Sequence, residues 1–165
     1  MKKRISCIIL LVFCIILSAC GKEIKFSEKG EMAVDNIKKL QSYMKAPDTF
    51  ILRDDVLVLD ENEKIFVFIS YSAENSFGVP LQDMAVFYGG EYYGSYYDME
   101  KNQQISREAY ETEEAYEEAL EKRKLELLCV IKFNQWVLGE IEDYEVIPCK
   151  NIAEKLGIKY QTDNH

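Results

Sequence analysis

The side chains that could support chemistry in this chain are carboxylates and thiols, since it has 29 Asp and Glu residues and five cysteines. Two convergent carboxylates are enough for general acid and base catalysis at a glycosidic bond. Imidazole chemistry is limited to His165, the single histidine and the last residue. The sequence contains no G-x-S-x-G, P-loop, H-E-x-x-H, C-x-x-C or G-x-G-x-x-G motif. We therefore assign no catalytic residue, no metal ligand and no cofactor.

The cysteine in the most informative position is Cys20, which follows an apolar segment near the N-terminus. A basic start, Met1 to Arg4, precedes an almost uninterrupted apolar run from Ile5 to Leu17. The run suits the ~7–15 apolar residues of a signal peptide and falls short of the ~20 residues of a membrane span. The residues that end it, Leu17-Ser18-Ala19-Cys20, resemble the lipobox of bacterial lipoproteins.

This resemblance implies a diacylglyceryl group on the sulfur of Cys20 and cleavage by a signal peptidase between Ala19 and Cys20. Residues 1–19 would then be a signal peptide, residues 20–26 a short tether and residues 27–165 a single domain. One acyl chain holds a protein weakly, whereas two anchor it stably. We expect a protein anchored by lipid to the extracytoplasmic face of the cell membrane, most simply in a Gram-positive cell. Two alternatives remain open, an ordinary signal peptide and an uncleaved helical anchor.

The charge of the chain excludes nucleic acid as a partner and limits how the protein can attach to a membrane. The net charge is −9, from 20 basic and 29 acidic residues. Lys2, Lys3 and Arg4 belong to the signal segment, so the remaining chain has 17 basic residues and a net charge of −12. Because nucleic acids and anionic lipids attract clustered Lys and Arg, neither is expected to bind this surface by charge. Membrane attachment is therefore expected to depend on the lipid at Cys20.

Two cysteines, Cys129 and Cys149, remain in the expected exported domain. Export permits a disulfide, which would stabilise the fold by roughly 3 kcal/mol in the chain-entropy account. Cys129 stands in an apolar stretch, however, and two buried thiols that behave as small apolar residues are the alternative. The sequence leaves both interpretations open.

The order of the predicted elements is typical of an α+β domain, in which an antiparallel meander of about four strands packs against an N-terminal helix and a long C-terminal helix. Ser27 is a suitable N-cap for a first helix that runs to about Lys45, before Pro47. Strands are predicted at residues 55–59, 64–72, 84–88 and 91–97, with Gly89-Gly90 as a tight hairpin turn and residues 73–81 as a loop.

The long helix is predicted from Ser106 to Val137 or Leu138, and a short strand at 144–147 and a helical turn at 151–156 follow it. Its first half is rich in glutamate, which we interpret as a solvated face. The alternative is weak binding of a divalent cation or of a basic partner, although the spacing of a calcium loop is absent from the sequence. One apolar stripe along this helix is expected to face the sheet. The stripe consists of Tyr116, Leu120, Leu127, Ile131 and Leu138.

Tyrosines are concentrated in the last predicted hairpin, and their flat amphipathic rings suit stacking on sugars or contact with a protein. Strict alternation in a strand places Tyr93 and Tyr97 on one face and Tyr92 and Tyr96 on the other. One pair is then expected in the core and the other at a binding surface. The alternative is that all four rings pack in the interior.

A second resemblance concerns residues 40–95, where Ala46-Pro47-Asp48-Thr49-Phe50 and Asn75-Ser76-Phe77-Gly78 are similar to a pattern in small exported domains of Gram-positive bacteria. That pattern implies no activity and supplies no catalytic residue. We expect a non-enzymatic module of the cell envelope that binds a protein or a glycan. The alternative is a cell-wall glycan hydrolase, or an accessory to one, that uses acidic residues.

Overall fold

The computed structural model describes residues 24–61, 64–101 and 106–161. The predicted signal peptide, its cleavage site at Ala19 and the predicted lipid site at Cys20 lie outside the described residues. The α+β class is confirmed, because the chain forms a mixed sheet of seven strands with helices on both faces.

The sheet is built around one long strand, β3 (Lys64–Glu74), whose side chains alternate between two buried faces. It pairs along one edge with β4 (Pro80–Tyr88), which continues to β5 (Glu91–Ser95). Along its other edge it pairs with β2 (Val56–Glu61) at one end and β1 (Ile51–Leu52) at the other. Strands β2 to β5 are consecutive and antiparallel, so the predicted four-stranded meander is confirmed.

Two short strands complete the edges of the sheet. Strand β6 (Tyr144–Ile147) pairs antiparallel with β2, and β7 (Lys159–Tyr160) pairs parallel with β1. The parallel pair makes the sheet mixed, which the meander prediction did not include.

The loop predicted at residues 73–81 is shorter than expected. Pairing between β3 and β4 continues to Glu74 and Pro80, so only residues 75–79 turn the chain. The Asn75 Oδ1 accepts hydrogen bonds from the backbone amides of Phe77 and Val79 at 2.9 and 3.1 Å. These contacts satisfy the amides of the turn, and the hairpin needs no longer connection.

One face of the sheet, called the first face below, is covered by α1 (Glu28–Ser42) and α4 (Cys149–Leu156). Helix α1 begins where predicted, because the Ser27 Oγ accepts a hydrogen bond from the amide of Gly30 at 3.0 Å. It ends slightly before the predicted boundary. Its buried apolar side chains contact aliphatic residues of the sheet and Phe87. They are Ala33, Val34, Ile37 and Leu40.

The opposite face, called the second face below, is covered by α2 (Tyr96–Lys101) and α3 (Glu113–Val137). The prediction that the long helix begins at Ser106 is wrong. Residues Arg107–Ala109 form one separate 3₁₀ turn, and the Thr112 Oγ1 caps α3 by accepting from the amide of Ala115 at 3.2 Å. A capping side chain close to the first full turn thus defines the start of the helix.

The predicted orientation of α3 is also wrong. Leu127, Ile131 and Leu138 are 45%, 50% and 72% exposed and point away from the sheet. The buried side of the helix instead contains Cys129 and the rings of Phe133 and Trp136. Aromatic rings bury more apolar surface than leucine or isoleucine, so the face that contains them packs on the sheet even though its spacing is less regular.

Candidate functional site

A cleft of about 540 Å³ lies on the first face of the sheet. It lies beyond the C-terminal end of α1, at the C-terminal end of β3 and the N-terminal end of β4. The junction of β5 with α2 lies beside it. It is lined by the partly buried Tyr71 and Asp83 and by the exposed Tyr97. The volume lies within the usual range for sites that bind small molecules.

The best-defined polar group in the cleft is the carboxylate of Asp83. Its Oδ1 accepts hydrogen bonds from the Ser95 hydroxyl at 2.6 Å and from the amide of Met84 at 2.7 Å. Its Oδ2 accepts only a long hydrogen bond, of 3.5 Å, from the hydroxyl of Tyr71. We call Asp83, Tyr71 and Ser95 the Asp83 cluster. One oxygen is held firmly, and the other has capacity for a donor from a ligand.

The hydroxyl of Tyr71 stays protonated and can donate a hydrogen bond. Burial raises the pKa of its hydroxyl well above the ordinary value, and the nearby negative charge of Asp83 raises it further. Its ring stacks on Phe50 with the two centroids 5.6 Å apart. The hydroxyl therefore keeps its proton at neutral and moderately alkaline pH, and the ring keeps a fixed position.

The rim of the cleft contains charges of both signs. Lys45 and Lys101 lie on it together with Glu74 and Asp98, and all four are exposed. Asn75, Ser76 and Gln82 add neutral polar groups. Such a rim does not select strongly for one charge, and the specific polar contacts are concentrated in the Asp83 cluster.

The four tyrosines predicted as a binding surface occupy four different environments. Tyr92 is 38% exposed and packs on Phe87, with a centroid distance of 5.5 Å. Tyr93 is partly buried on the second face. Tyr96 is only 5% exposed and contacts Phe133, whereas Tyr97 is 44% exposed and lines the cleft. Neither predicted pair shares one environment.

The alternation prediction is wrong because β5 is irregular and short. Opposite Val86 and Phe87 of β4, a bulge leaves Tyr93 of β5 without a paired residue and shifts the register. Tyr92 and Ser95 therefore both reach the first face, although they are three positions apart. The strand then ends at Ser95, and Tyr96 and Tyr97 begin α2 instead of continuing the strand. Helical spacing sends these two neighbouring rings in different directions.

The two cysteines of the domain are free thiols, and no disulfide joins them. Cys129 lies in the core on the second face and Cys149 in the core on the first face, so the sheet separates them. Burial raises the pKa of Cys129 to about 12 and that of Cys149 to about 11, the latter with help from Asp55. The structure thus has the buried thiols that the sequence left open as an alternative to a disulfide.

The acidic half of α3 is a solvated face, since Glu114, Glu117, Glu118 and Glu121 are all exposed. Within residues 24–61, 64–101 and 106–161, no group of three potential ligands among His, Cys, Asp and Glu could hold a metal ion. In the same ranges, no helix has both the length and the apolar character that crossing a membrane requires.

The sequence did not indicate the Asp83 cluster, although Asn75 and Ser76 of the predicted loop at residues 73–81 line the cleft. One feature of the sequence does point to this site. Asp83 is the one charged residue between Leu81 and Tyr88, in a strand that is otherwise mostly apolar. A carboxylate in such a strand needs donors, and Ser95 supplies one of them from the neighbouring strand.

The fold and the site together define an α+β domain with an open polar and aromatic cleft at one end of its sheet. Compared with models of protein families, with curated proteins and with solved structures, the chain has no match in any of the three. The function is therefore argued from the geometry of the cleft and from the N-terminal sequence.

Proposed function

We propose that this protein is a lipoprotein of the cell envelope, anchored by lipid on Cys20 to the extracytoplasmic face of the membrane, and that its cleft binds a glycan without cleaving it. The anchor is supported by the lipobox resemblance of residues 17–20. The binding role is supported by the Asp83 cluster. These two parts rest on separate observations and are tested separately.

The single observation that carries the binding proposal is that the Asp83 carboxylate and the exposed ring of Tyr97 line the same cleft. A sugar offers hydroxyl donors in the plane of its ring and an apolar face above it. The Asp83 Oδ2 can accept from a hydroxyl, and a tyrosine ring can cover the apolar face. The mixed charges of the rim suit a neutral polar ligand better than an ion.

The length of the tether is compatible with a ligand in the cell wall. From Gly21 to Phe26 the extended chain reaches only about 20 Å. The domain begins firmly at Ser27, whose hydroxyl donates to the Glu145 carboxylate at 2.7 Å. A domain attached in this way would stay near the membrane and would meet glycans at the inner side of the wall.

The anchor is tested by expressing the full chain with Cys20→Ser in a Gram-positive host and following it by membrane fractionation and mass spectrometry. We expect loss of the lipid mass together with release of the protein or accumulation of its uncleaved precursor. The matched control is Cys14→Ser, which also removes one thiol from the N-terminal segment but leaves residues 17–20 intact. An unmodified Cys20 in the wild-type protein would refute the anchor.

The cleft is tested by titrating the full-length protein with soluble β-1,4-linked N-acetylglucosamine oligomers and measuring binding by calorimetry. Asp83→Asn is expected to weaken binding by about tenfold, because a hydrogen bond to a charged group contributes ~1.5–3 kcal/mol and each 1.4 kcal/mol is tenfold. Tyr97→Ala is expected to weaken binding by about threefold to tenfold, because it removes the ring that covers the apolar face of the sugar. Tyr160→Ala is the control, since Tyr160 is another exposed tyrosine outside the cleft. Equal loss in all three variants, or no binding by the wild type, would refute the glycan proposal.

A hydrolase is the second candidate because the carboxylate of Asp98 lines the same cleft as that of Asp83. Two carboxylates on opposite sides of a glycosidic bond could act as acid and base. Incubation with the same oligomers and analysis of the products by mass spectrometry separates the two functions. Cleavage that is lost in both Asp83→Asn and Asp98→Asn would replace the binding proposal with catalysis.

A further inference from the structure

Two tyrosine rings beside the cleft form an exposed aromatic surface that the contacts proposed so far do not use. Tyr43 follows the last turn of α1 and is 56% exposed, and Tyr92 belongs to β5 and is 38% exposed. Their ring centroids lie 5.7 Å apart, and the two ring planes are inclined by 48°. We call these two residues the tyrosine platform. About half of the Tyr43 side chain is open to a ligand.

Contacts between α1 and the hairpin of β4 and β5 fix the position of the tyrosine platform. The Lys39 ammonium of α1 contacts the Glu91 carboxylate at 2.6 Å and donates to the Gly90 carbonyl at 3.2 Å. The ring of Tyr92 packs on the buried Phe87, with their centroids 5.5 Å apart. Because the rings already have a fixed position, a ligand that covers them has less conformational freedom to remove.

The tyrosine platform lies next to the cleft. Met44, which directly follows Tyr43 in the chain, lines the cleft. Burial raises the pKa of the Tyr92 hydroxyl, and the negative charges of Asp83 and Asp98 raise it further. Both of these carboxylates line the cleft. The platform is therefore within electrostatic reach of the cleft and continues its surface.

Strand pairing places the platform and the Asp83 cluster one after the other along β4. Alternate residues of a strand share one face, so Asp83 and Phe87 both point toward the first face. Ser95 of β5 donates to Asp83, and Tyr92 of β5 is paired with Phe87. Four residues of a strand span about 13 Å. A ligand that is held at Asp83 and extends toward the C-terminal end of β4 would next meet the platform.

We propose that the tyrosine platform is a second sugar subsite, and that the ligand of the cleft is a linear oligosaccharide. The Asp83 cluster holds one sugar, and the Tyr43 ring covers the apolar face of the next sugar. Lys39 and Glu91 border the platform and supply a donor and an acceptor for the hydroxyls of that sugar. This inference rests on the proposed glycan-binding function and specifies the ligand further.

The surroundings of the platform favour a sugar over a protein as its occupant. A stable protein interface buries about 800 Å² on each partner and has an apolar centre. The platform consists of two rings, bounded by the ion pair of Lys39 and Glu91 on one side and by the polar cleft on the other. A sugar has an apolar face of about the size of one ring with hydroxyls around it, which suits this arrangement.

The second subsite is tested by NMR titration of the full-length protein in detergent with N-acetylglucosamine and with its β-1,4-linked tetramer. Tyr43→Ala is expected to weaken binding of the tetramer by about threefold to tenfold and to leave binding of the monosaccharide unchanged, because only the tetramer reaches the platform. Asp83→Asn should weaken binding of both sugars. Tyr43→Phe should bind the tetramer as the wild type does, since it keeps the ring.

Tyr144→Ala is the matched control for the loss of an exposed ring. Tyr144 is 47% exposed and contacts another aromatic ring, that of Trp136, with their centroids 6.2 Å apart. It lies on β6, which is at the other edge of the sheet from β5. This variant should bind both sugars as the wild type does. The thermal unfolding curve of each variant shows that it is folded.

Four results would overturn the inference. Unchanged tetramer binding in Tyr43→Ala, with weaker binding in Asp83→Asn, would remove the second subsite and leave glycan binding by the cleft in place. Equal losses in Tyr43→Ala and Tyr144→Ala would mean that the effect is not specific to the platform. A loss in Tyr43→Phe as large as that in Tyr43→Ala would assign the effect to the hydroxyl. A wild type that binds neither sugar would refute the glycan-binding function itself.

Discussion

Helices α1 and α3 cover opposite faces of the same sheet, but they distribute their apolar side chains in different ways. In α1 the buried residues form one stripe, and the side chains of Lys38 and Lys39 stand on the other side of the helix. In α3 apolar residues occupy two sides, so that Phe133 faces the core while Ile131 faces solvent. A helix with one stripe needs one partner, whereas a helix with two stripes can contact a second one.

The two faces also differ in how completely they are covered. On the first face α1 ends at Ser42, before it reaches Tyr71 and Asp83, and the cleft occupies the uncovered part. On the second face α2 and α3 extend across the strands, and Tyr96 and Phe133 fill the space between them and the sheet. The cleft thus lies on the first face, which the shorter helix α1 covers only in part. The exposed apolar side of a helix belongs to α3, the longer helix that covers the second face.

We expect the largest difference in the free energy of unfolding between an alanine substitution in the core of the first face and one on the exposed side of α3. Phe87→Ala should lower the free energy of unfolding by about 3–5 kcal/mol, because Phe87 is fully buried and its removal leaves a cavity. Ile131→Ala should change it by less than about 0.5 kcal/mol in dilute monomeric protein. Urea denaturation followed by circular dichroism measures both. Comparable losses would mean that Ile131 belongs to the core.

A buried ion pair distinguishes the second face. Arg123 contacts Glu126 at 2.9 Å, and both side chains are at most 15% exposed. Arg123→Ala should cost about 3 kcal/mol in urea denaturation, since it leaves a carboxylate and the Met99 carbonyl without their donor. The double variant Arg123→Met with Glu126→Gln should recover most of this loss. A double variant no more stable than Arg123→Ala would contradict the coupling of the two side chains.

Alkaline pH should lower the stability of the fold, because each face of the sheet contains one buried cysteine. The pKa values of Cys129 and Cys149 in the folded protein are raised to about 12 and about 11. In the unfolded chain a thiol has a pKa of ~8.5. The stability that the neutral thiols contribute is therefore fully present below pH ~8.5 and is lost as the pH rises from there toward the folded-state pKa values. The free energy of unfolding should fall by about 1 kcal/mol or more per cysteine between pH 8 and pH 10. In Cys129→Ala with Cys149→Ala the fall should be smaller. An identical pH profile would show that the thiols do not account for it.

The helix caps should give the smallest effects and should be similar on the two faces. Ser27→Ala and Thr112→Ala each remove one hydrogen bond to a free amide at a helix N-terminus. Each should lower the free energy of unfolding by about 1 kcal/mol. The loss for Ser27 should be the larger, since its hydroxyl also donates to Glu145. The Thr112 variant serves as the control for the cap alone.

Much of the fold could be predicted from local patterns. The alternation of residues 64–72, the paired glycines Gly89 and Gly90 and the N-cap at Ser27 each produced the element they indicated. These signals are local because strand alternation, tight turns and caps depend on a few neighbouring residues. The errors fell where the chain leaves regular geometry, at the bulge in β4 and β5 and at the break between Ser106 and Thr112.

By itself, the sequence determined the α+β class, the meander, the amphipathic first helix and the acidic surface. Its residues 17–20 also contain the basis for the proposed anchor. Only the tertiary structure decided which side of α3 is buried, because two apolar sides compete and the packing of Phe133 and Trp136 against the sheet selects one of them. Only the tertiary structure brought Tyr71, Asp83 and Ser95 together, since three strands must pair in one register before their side chains can meet.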